Sequence, residues 1–271
     1  MPVDDERFES LSVLLKRKET VLRLHEGPAD KRTLVEALDY SRSTVDRAVR
    51  ELESHGLVAY DGGRYELTPV GEQAVAGTTE LLDRIEVARE LRPFLRHLPT
   101  ERFDLDLHLL ADAEVLLPEP GNPWAMINRH VGVLERAEDV RAVLPLLGLH
   151  AQQVVHERVV EAGARAELVG SPEVVRTLVA DPDFVERTRE MAETGRCRVF
   201  QADERPPYFV GVMDEIVQIG TDEDGEPRAI VESTAPAVRD WAETTYERFR
   251  GRATRVDLLE ATADAEGSTA D

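Results

Sequence analysis

Residues 31–68, KRTLVEALDYSRSTVDRAVRELESHGLVAYDGGRYELT, constrain this chain more than any other stretch. Leu34, Val35 and Leu38 are apolar at i, i+1 and i+4, which predicts a short amphipathic helix with one buried side. Asp39-Tyr40-Ser41 breaks that pattern, and the hydroxyl of Ser41 or Ser43 is suited to cap the helix that follows. Val45, Ala48, Val49 and Leu52 then recur at i, i+3, i+4 and i+7, one core stripe of a second helix. Arg42, Ser43, Thr44, Arg47 and Arg50 fall on the remaining face. His55-Gly56 ends the helix, because Gly56 is free to take the left-handed conformation of a C-terminal cap. LVAY and RYEL, joined by Asp61-Gly62-Gly63, read as two short strands around a hairpin turn. Helix, turn, second helix and hairpin is the layout of a winged helix-turn-helix, whose second helix enters the DNA major groove.

Two helices with solvated arginines would account for residues 31–55 alone. The hairpin directly behind them, followed by Thr68-Pro69 at a favourable helix start, is the rarer combination. The whole arrangement closely resembles the winged-helix domains of archaeal transcription regulators. Carrying that resemblance are Leu34, Leu38, Ser41, Arg42, Ser43, Thr44, Val45, Arg47, Ala48, Val49, Glu51, Leu52, Gly56, Leu57, Tyr65, Leu67, Thr68, Pro69 and Gly71. The expected partner is therefore double-stranded operator DNA, bound by a homodimer on a pseudo-palindrome. The expected DNA-binding residues are Lys31, Ser41, Arg42, Ser43, Thr44, Arg47, Arg50, Arg64 and Tyr65. Within that set Arg42, Ser43, Thr44 and Arg47 face base edges or phosphates, Arg50 and Lys31 the backbone, and Arg64 reaches out from the wing. Asp46 is awkward on such a face: it either pairs with Arg50 at i, i+4 or accepts from a cytosine amino group.

Charge complicates this expectation. The chain has 33 basic and 54 acidic residues in 271, a formal charge of −21, whereas DNA-binding domains usually present a basic surface. The acid is unevenly placed. Residues 1–60 hold 10 basic and 12 acidic residues, net −2, which leaves −19 for the rest. Lysine occurs only at Lys16, Lys18 and Lys31. An acidic, lysine-poor, arginine-retaining composition looks like that of a protein from a salt-in halophile. Counterion release, the usual source of DNA affinity, fades in concentrated salt, so binding would lean on shape, base-edge contacts and dimerisation.

Ahead of the central stretch, Phe8, Leu11, Leu14, Leu15, Val21 and Leu22 predict one helix from Phe8 to about Glu26, stopped by Gly27-Pro28; residues 1–7 read as polar and loose. Behind it, residues 70–91 predict a longer helix with Leu81, Leu82, Ile85, Ala88 and Leu91 as an apolar stripe, a connector and a candidate dimer contact. The domains expected are residues 8–92 (winged helix plus connector), 98–252 (α/β) and 257–271, an acidic disordered tail.

The second half alternates strand and helix. Strands are expected at 108–117, 140–147 and 164–169, helices at 124–137, 150–163, 172–179 and 182–195. CRVFQA, YFVGVMD, EIVQIGT and RAIVEST follow as four strands, and a helix spans 236–252. That order indicates an α/β sandwich with a mixed sheet. GARAELVGSPEVVRTL, CRVFQADERPPYFVGVMDEIVQIG and STAPAVRDWAETTYERFR resemble the effector domain of the methanogenesis (filament-forming) regulator family. The resemblance implies a phospholipase-D-like fold, with the sugar-responsive TrmB-like regulators as a related layout. With the head it covers about residues 8–252. The fold class expected is thus α+β or α/β: a winged helix-turn-helix followed by a mixed-sheet domain.

Phospholipase-D-type catalysis needs His as nucleophile with Lys and Asp in an HxKxxxxD run. With no lysine after Lys31, that run cannot exist in this half. His97, His108, His130, His150 and His156 occur singly, and neither a serine nucleophile elbow nor a phosphate-binding loop is present, so enzyme activity is not expected. Cys197 excludes an internal disulfide; flanked by Arg196 and Arg198 it is either a redox-sensing thiol or an ordinary strand residue, the latter favoured. With no 18-residue apolar run and no signal peptide, the chain is expected to be cytoplasmic and away from membranes. No cofactor or metal is expected. A small-molecule effector would find candidate groups at Trp124, Asn128, Arg129 and His130, at the rim Asp203–Pro207 with Tyr208, and at Arg198 for an anionic metabolite; ordinary packing and solvated loops compete for each. Beside the regulator, a protein-interaction scaffold using the helix-turn-helix, and more remotely a phosphodiesterase-like enzyme, stay open.

Overall fold

The computed structural model describes residues 5–268, in two compact units that part between Ile85 and Glu86. In the first unit, α1 (Asp5–Lys16) and α2 (Lys18–His25) replace the single helix expected over 8–26. The chain breaks at Arg17, whose φ of −108° and ψ of 21° leave helical geometry. The break aims Leu14 on one side, and Val21 and Leu24 on the other, into one core. Residues 1–4, part of the segment expected to be loose, lie outside the described residues.

Then come α3 (Lys31–Leu38) and α4 (Arg42–Ser54). Asp30 caps α3 by accepting from Thr33 N at 2.8 Å. Leu34, Val45, Val49 and Leu52 are fully buried in the unit's core, each such side chain contributing about 1.5–3 kcal/mol by leaving water. Strands β1 (Val58–Asp61) and β2 (Arg64–Leu67) pair antiparallel with Asp61 opposite Arg64. The two-residue turn between them holds Gly62 at φ 54° and Gly63 at φ 87°, a hairpin turn that needs positive φ at both centres. Ala29 adds a third short rung by exchanging both backbone hydrogen bonds with Tyr65. Thr68 seals the unit: its N–H donates to Leu57 O, its hydroxyl donates to Gly56 O, and the same oxygen accepts from Gly71 N. Helix α5 (Pro69–Glu90) starts there.

The division falls inside α5, earlier than the expected boundary near residue 92. Val87 and Leu91 are buried with Phe94, Leu98 and Val210 in the second unit's core, so the last turn of α5 belongs to that unit by packing. After α6 (Arg92–Leu95), residues expected as a strand over 108–117 form a 3-10 turn, Leu107–Leu110, and only then β3 (Glu114–Leu116). Asp106 caps that turn through His108 N, which shortens the strand.

The remaining elements are α7 (Ala125–Leu134), β4 (Asp139–Leu144), α8 (Leu149–Val160), β5 (Arg165–Gly170), α9 (Pro172–Ala180), α10 (Val185–Glu193), β6 (Cys197–Gln201), β7 (Phe209–Met213), β8 (Ile216–Glu223), β9 (Glu226–Ser233), α11 (Pro236–Arg250), β10 (Thr254–Val256) and α12 (Leu258–Ser268). Eight strands form one mixed sheet in the order β10-β6-β5-β4-β7-β8-β9-β3. β4, β5 and β6 run parallel and the other pairings are antiparallel. Because side chains alternate along a strand, each strand feeds two cores. Val143, Val169 and Phe200 join α11 on one face, while Ala142, Leu168 and Val199 join α7 to α10 on the other.

The tail departs from expectation. Rather than being disordered after residue 256, the chain pairs β10 with β6 and continues into α12, with Leu258 and Thr262 buried. Leu258 packs into the core that α9 and α10 share, a contact that composition does not reveal. Residues 269–271 lie outside the described residues. No helix among the described residues is long and apolar enough to cross a membrane.

Candidate nucleic-acid interface and a cavity in the second unit

Helix α4 opens on a capped and hydroxyl-rich turn. Of the two serines suited to the role, Ser41 is the cap: its Oγ accepts from Thr44 N at 3.2 Å and lies 2.9 Å from Ser43 Oγ and 2.8 Å from Thr44 Oγ1. Such a turn offers N–H and O–H donors on the positive end of the helix dipole, a ready phosphate contact. Arg42, Arg47 and Arg50 stand exposed along the outer face. Among the described residues none of the three, nor Arg64 of the wing, has an ion-pair partner, whereas about half of the second unit's arginines do. Opposite them, Val45, Ala48, Val49 and Leu52 anchor the helix.

Lys31 and Tyr65 sit differently from expectation. Lys31 Nζ lies 2.6 Å from Asp46 Oδ1 and 5.9 Å above the Tyr65 ring. Asp46 is thus paired with Lys31 of the preceding helix, not with Arg50. The hydrogen bond from Lys31 holds the Asp46 carboxyl below its usual range and raises the Lys31 ammonium. Lys31 is paired with that carboxylate, and a phosphate would have to compete with Asp46 for it. Tyr65 is only 6% exposed, its ring walled by Lys31 and by Tyr60 at 4.8 Å. It shapes the wing from inside and cannot itself reach a groove. The aromatic face the wing does present is Tyr60, 58% exposed, which sequence reasoning missed. The direct Tyr60–Tyr65 pairing across a two-residue turn was readable from the hairpin register; which ring would be covered was not.

Helix α4 is braced from behind. Glu51 accepts from Lys16 Nζ at 3.1 Å and from Arg17 Nε at 2.7 Å, at the α1–α2 break. These two bonds pull its carboxyl from 4.5 to about 2.

In the second unit the candidate ligand residues separate. Trp124 and His130 line a cavity of about 960 Å³ between α7, α8, α10 and one face of the sheet, and Asn128 joins them. Arg129, their neighbour on α7, turns to a bidentate ion pair with Glu232. Arg198 and Tyr208 are on the other side of the sheet. Arg198 follows Cys197 and precedes Val199, which both line the cavity, so alternation points it away; there it pairs with Glu167 at 2.7 Å, beside Arg250. Tyr208 is fully buried in the opposite core and donates to Arg102 O. The rim Asp203–Pro207 is tied by Arg102–Glu204 and Arg205–Asp222 ion pairs. Cys197 is buried, and desolvation pushes its thiol to about 12: a core strand residue, inert as a redox sensor.

Sequence reasoning missed Gln152. It is a buried amide on the apolar side of α8, with Nε2 donating to Phe184 O at 3.1 Å and Thr188 Oγ1 at 3.3 Å. The signal open to a reader was a glutamine three and seven residues before Val155 and Val159, on the same stripe. Among the described residues no three metal-ligating side chains converge.

Residues 5–90 match the family model described as the HVO_A0261 N-terminal domain. Residues 123–252 match that of the methanogenesis regulatory protein FilR1, middle domain. No curated protein matches the chain. Among solved structures, TrmBL2, an archaeal chromatin protein with a novel mode of DNA binding, is 12% identical, aligned over 91% of this chain and 98% of its own, with a TM-score of 0.41. The phospholipase D family member Nuc from Salmonella typhimurium is 11% identical, over 53% of this chain and 97% of its own, TM-score 0.41. NucT from Helicobacter pylori is 10% identical, over 53% and 98%, with the same TM-score.

Proposed function

We propose that the chain, a DNA-binding transcription regulator whose two units match the HVO_A0261 N-terminal and FilR1 middle domains, grips a pseudo-palindromic operator as a homodimer whose second unit senses a metabolite. The observation that carries the DNA-reading role is the row of unpartnered arginines, Arg42, Arg47 and Arg50, on the outer face of a helix that Ser41 caps. In a protein of charge −21, carboxylates outnumber the cations, so arginines left unpaired on one helix face are the groups open to phosphates and to guanine edges. Ser43 and Thr44 add neutral donors at the helix start, and Arg64 with Tyr60 serves the wing.

Dimerisation is supported by α5. Ala74, Thr78, Leu81 and Ile85 repeat with alternating spacings of four, three and four, and Leu81 and Ile85 are 46% and 48% exposed. Leu81 and Ile85 make one leucine–isoleucine pair at such positions, the kind a parallel two-helix seam uses. Two heads so joined would address half-sites about one DNA turn apart.

The test is a titration of operator and random DNA by the full chain, at several salt concentrations, with operator fragments recovered by chromatin immunoprecipitation. Arg47→Ala should weaken operator binding about 5- to 150-fold, the range of a lost base contact, with little change on random DNA. Equal affinity of the unaltered chain for both DNAs would sink the specific-regulator reading.

A further inference from the structure

The second unit's cavity narrows what an effector can be, provided that this unit senses a small molecule as proposed above. Its walls are mainly apolar: Met126, Leu134, Ala142, Leu168, Val199 and Met213 line it from helix and sheet. At about 960 Å³ it is at the upper end of small-molecule pockets. The charged side chains along its hairpin end are already neutralised: Asp222 by Arg205, Glu226 by Arg228. Uncharged polar groups remain, among them Asn128 and the buried, unpartnered Thr221 Oγ1, and two are placed to accept. Gln152 spends its Nε2 on Phe184 O and Thr188, while its Oε1, buried, has no hydrogen-bond partner. A buried amide oxygen without a donor is costly, and a ligand donor would remove that cost.

His130 supplies the second. Gln218 Nε2 donates to Glu232 Oε2 at 2.7 Å, so Gln218 Oε1 is the acceptor for His130 Nδ1–H at 2.6 Å. Burial lowers the imidazole pKa and keeps the ring neutral. With Nδ1 carrying the proton, Nε2 holds a lone pair. Arg129 on Glu232 fixes the far end of the relay. The cavity thus offers acceptors without an unpaired cation.

We infer that the second unit binds a neutral, largely apolar molecule bearing a hydroxyl or amide N–H, which donates to Gln152 Oε1 or His130 Nε2. A carboxylate or phosphate would lose its hydration against apolar walls with no cation to receive it.

Fluorescence of the full chain provides the test. Trp124 lies at the cavity, and Trp241 stands on α11 bonded to Asp104, so a Trp241→Phe background isolates the reporter. Titration with 8-bromo-1-octanol should give saturable quenching, at least tenfold tighter than with 8-bromooctanoate. Ala142→Phe should abolish it by filling the floor; Gln152→Leu, closer in shape and less prone to unfold the domain, should weaken the alcohol at least fivefold. Non-saturable quenching, equal affinity for the carboxylate, or indifference to Gln152→Leu in a folded chain overturns the inference. Operator affinity is then measured with 1-octanol added. Saturable binding with unchanged operator affinity upholds the ligand class and removes the sensing role. Operator affinity that responds to a sugar or an anion, with no alcohol binding, keeps the sensing role and overturns the ligand class.

Discussion

Lys31 Nζ and Asp46 Oδ1 lie 2.6 Å apart, so the acidic side chain set between Arg42 and Arg50 on α4's outer face is answered by a lysine from the helix before it. The pair removes a negative charge from the surface that meets phosphate. It also ties α3 to α4 at a fixed spacing, with the Tyr65 ring beneath the ammonium. Asp46→Asn releases Lys31 and takes away one carboxylate. Operator affinity should rise several-fold, and the dependence of log Kd on log salt should steepen by about one phosphate contact. Lys31→Met should do the reverse. Should Asp46→Asn instead erase preference for operator over random DNA at unchanged salt dependence, Asp46 is a base-reading group and the pairing is secondary.

Gly71 lies where α5 starts against the wing. A Cβ there would fall inside the van der Waals envelope of Leu57 O, a backbone atom that Thr68 N also holds. Gly71→Ala should therefore destabilise the first unit by about 1–3 kcal/mol, the cost of overpacking. Gly77, in the same helix, has only open space where a Cβ would stand and is the matched control. Gly77→Ala should be neutral or stabilise by up to about 1 kcal/mol through helix propensity. Thermal melts of both variants decide it; equal melting temperatures would remove the close approach as a determinant.

Leu81 and Ile85 each leave nearly half their surface in solvent. If α5 pairs with its copy, Leu81→Glu with Ile85→Lys should convert dimer to monomer in sedimentation velocity and weaken operator binding while leaving secondary structure intact. A dimer that persists places the interface elsewhere.

Glu51 gives the head an acid limit. Its carboxyl is held near 2 against an ordinary 4.5 by Arg17 and Lys16. A depressed carboxylate contributes stability above its unfolded pKa and loses it as pH falls through the folded one. The contribution should be complete above about pH 5 and disappear between there and about pH 2. Glu51→Gln should flatten the loss of stability across that window and leave it unchanged in slope at neutral pH. A variant whose melting temperature tracks the parent throughout the acid range would show that other carboxylates govern it.

How much of this was legible in one dimension depends on the range of the interaction. The caps, the two helices and the hairpin of residues 31–68 follow from contacts within a few positions, and the structure repeats them with Ser41 as cap and Gly62-Gly63 as turn. The break at Arg17 did not, because it answers Glu51, 34 positions away. Tyr65 read as a surface aromatic beside the arginines; a backbone bridge to Ala29 and an ammonium from Lys31 bury it.

The same division runs through the second unit. Alternation of apolar and polar residues identified its strands and helices, and the absence of lysine after Lys31 removed a histidine–lysine phosphodiesterase site without reference to any fold. Alternation also implies that Arg198 and its neighbours Cys197 and Val199 face opposite ways, but only the order β6-β5-β4-β7 decides which face carries the cavity and which the Glu167 cluster. Local periodicity and capping are written in neighbouring residues, so the sequence by itself determined the head and the class of the body. Which polar atoms are answered, Asp46 by Lys31 and Glu232 by Arg129, and which are left over, as at Gln152, was decided by tertiary structure, because desolvation and pairing depend on what the fold brings from far along the chain.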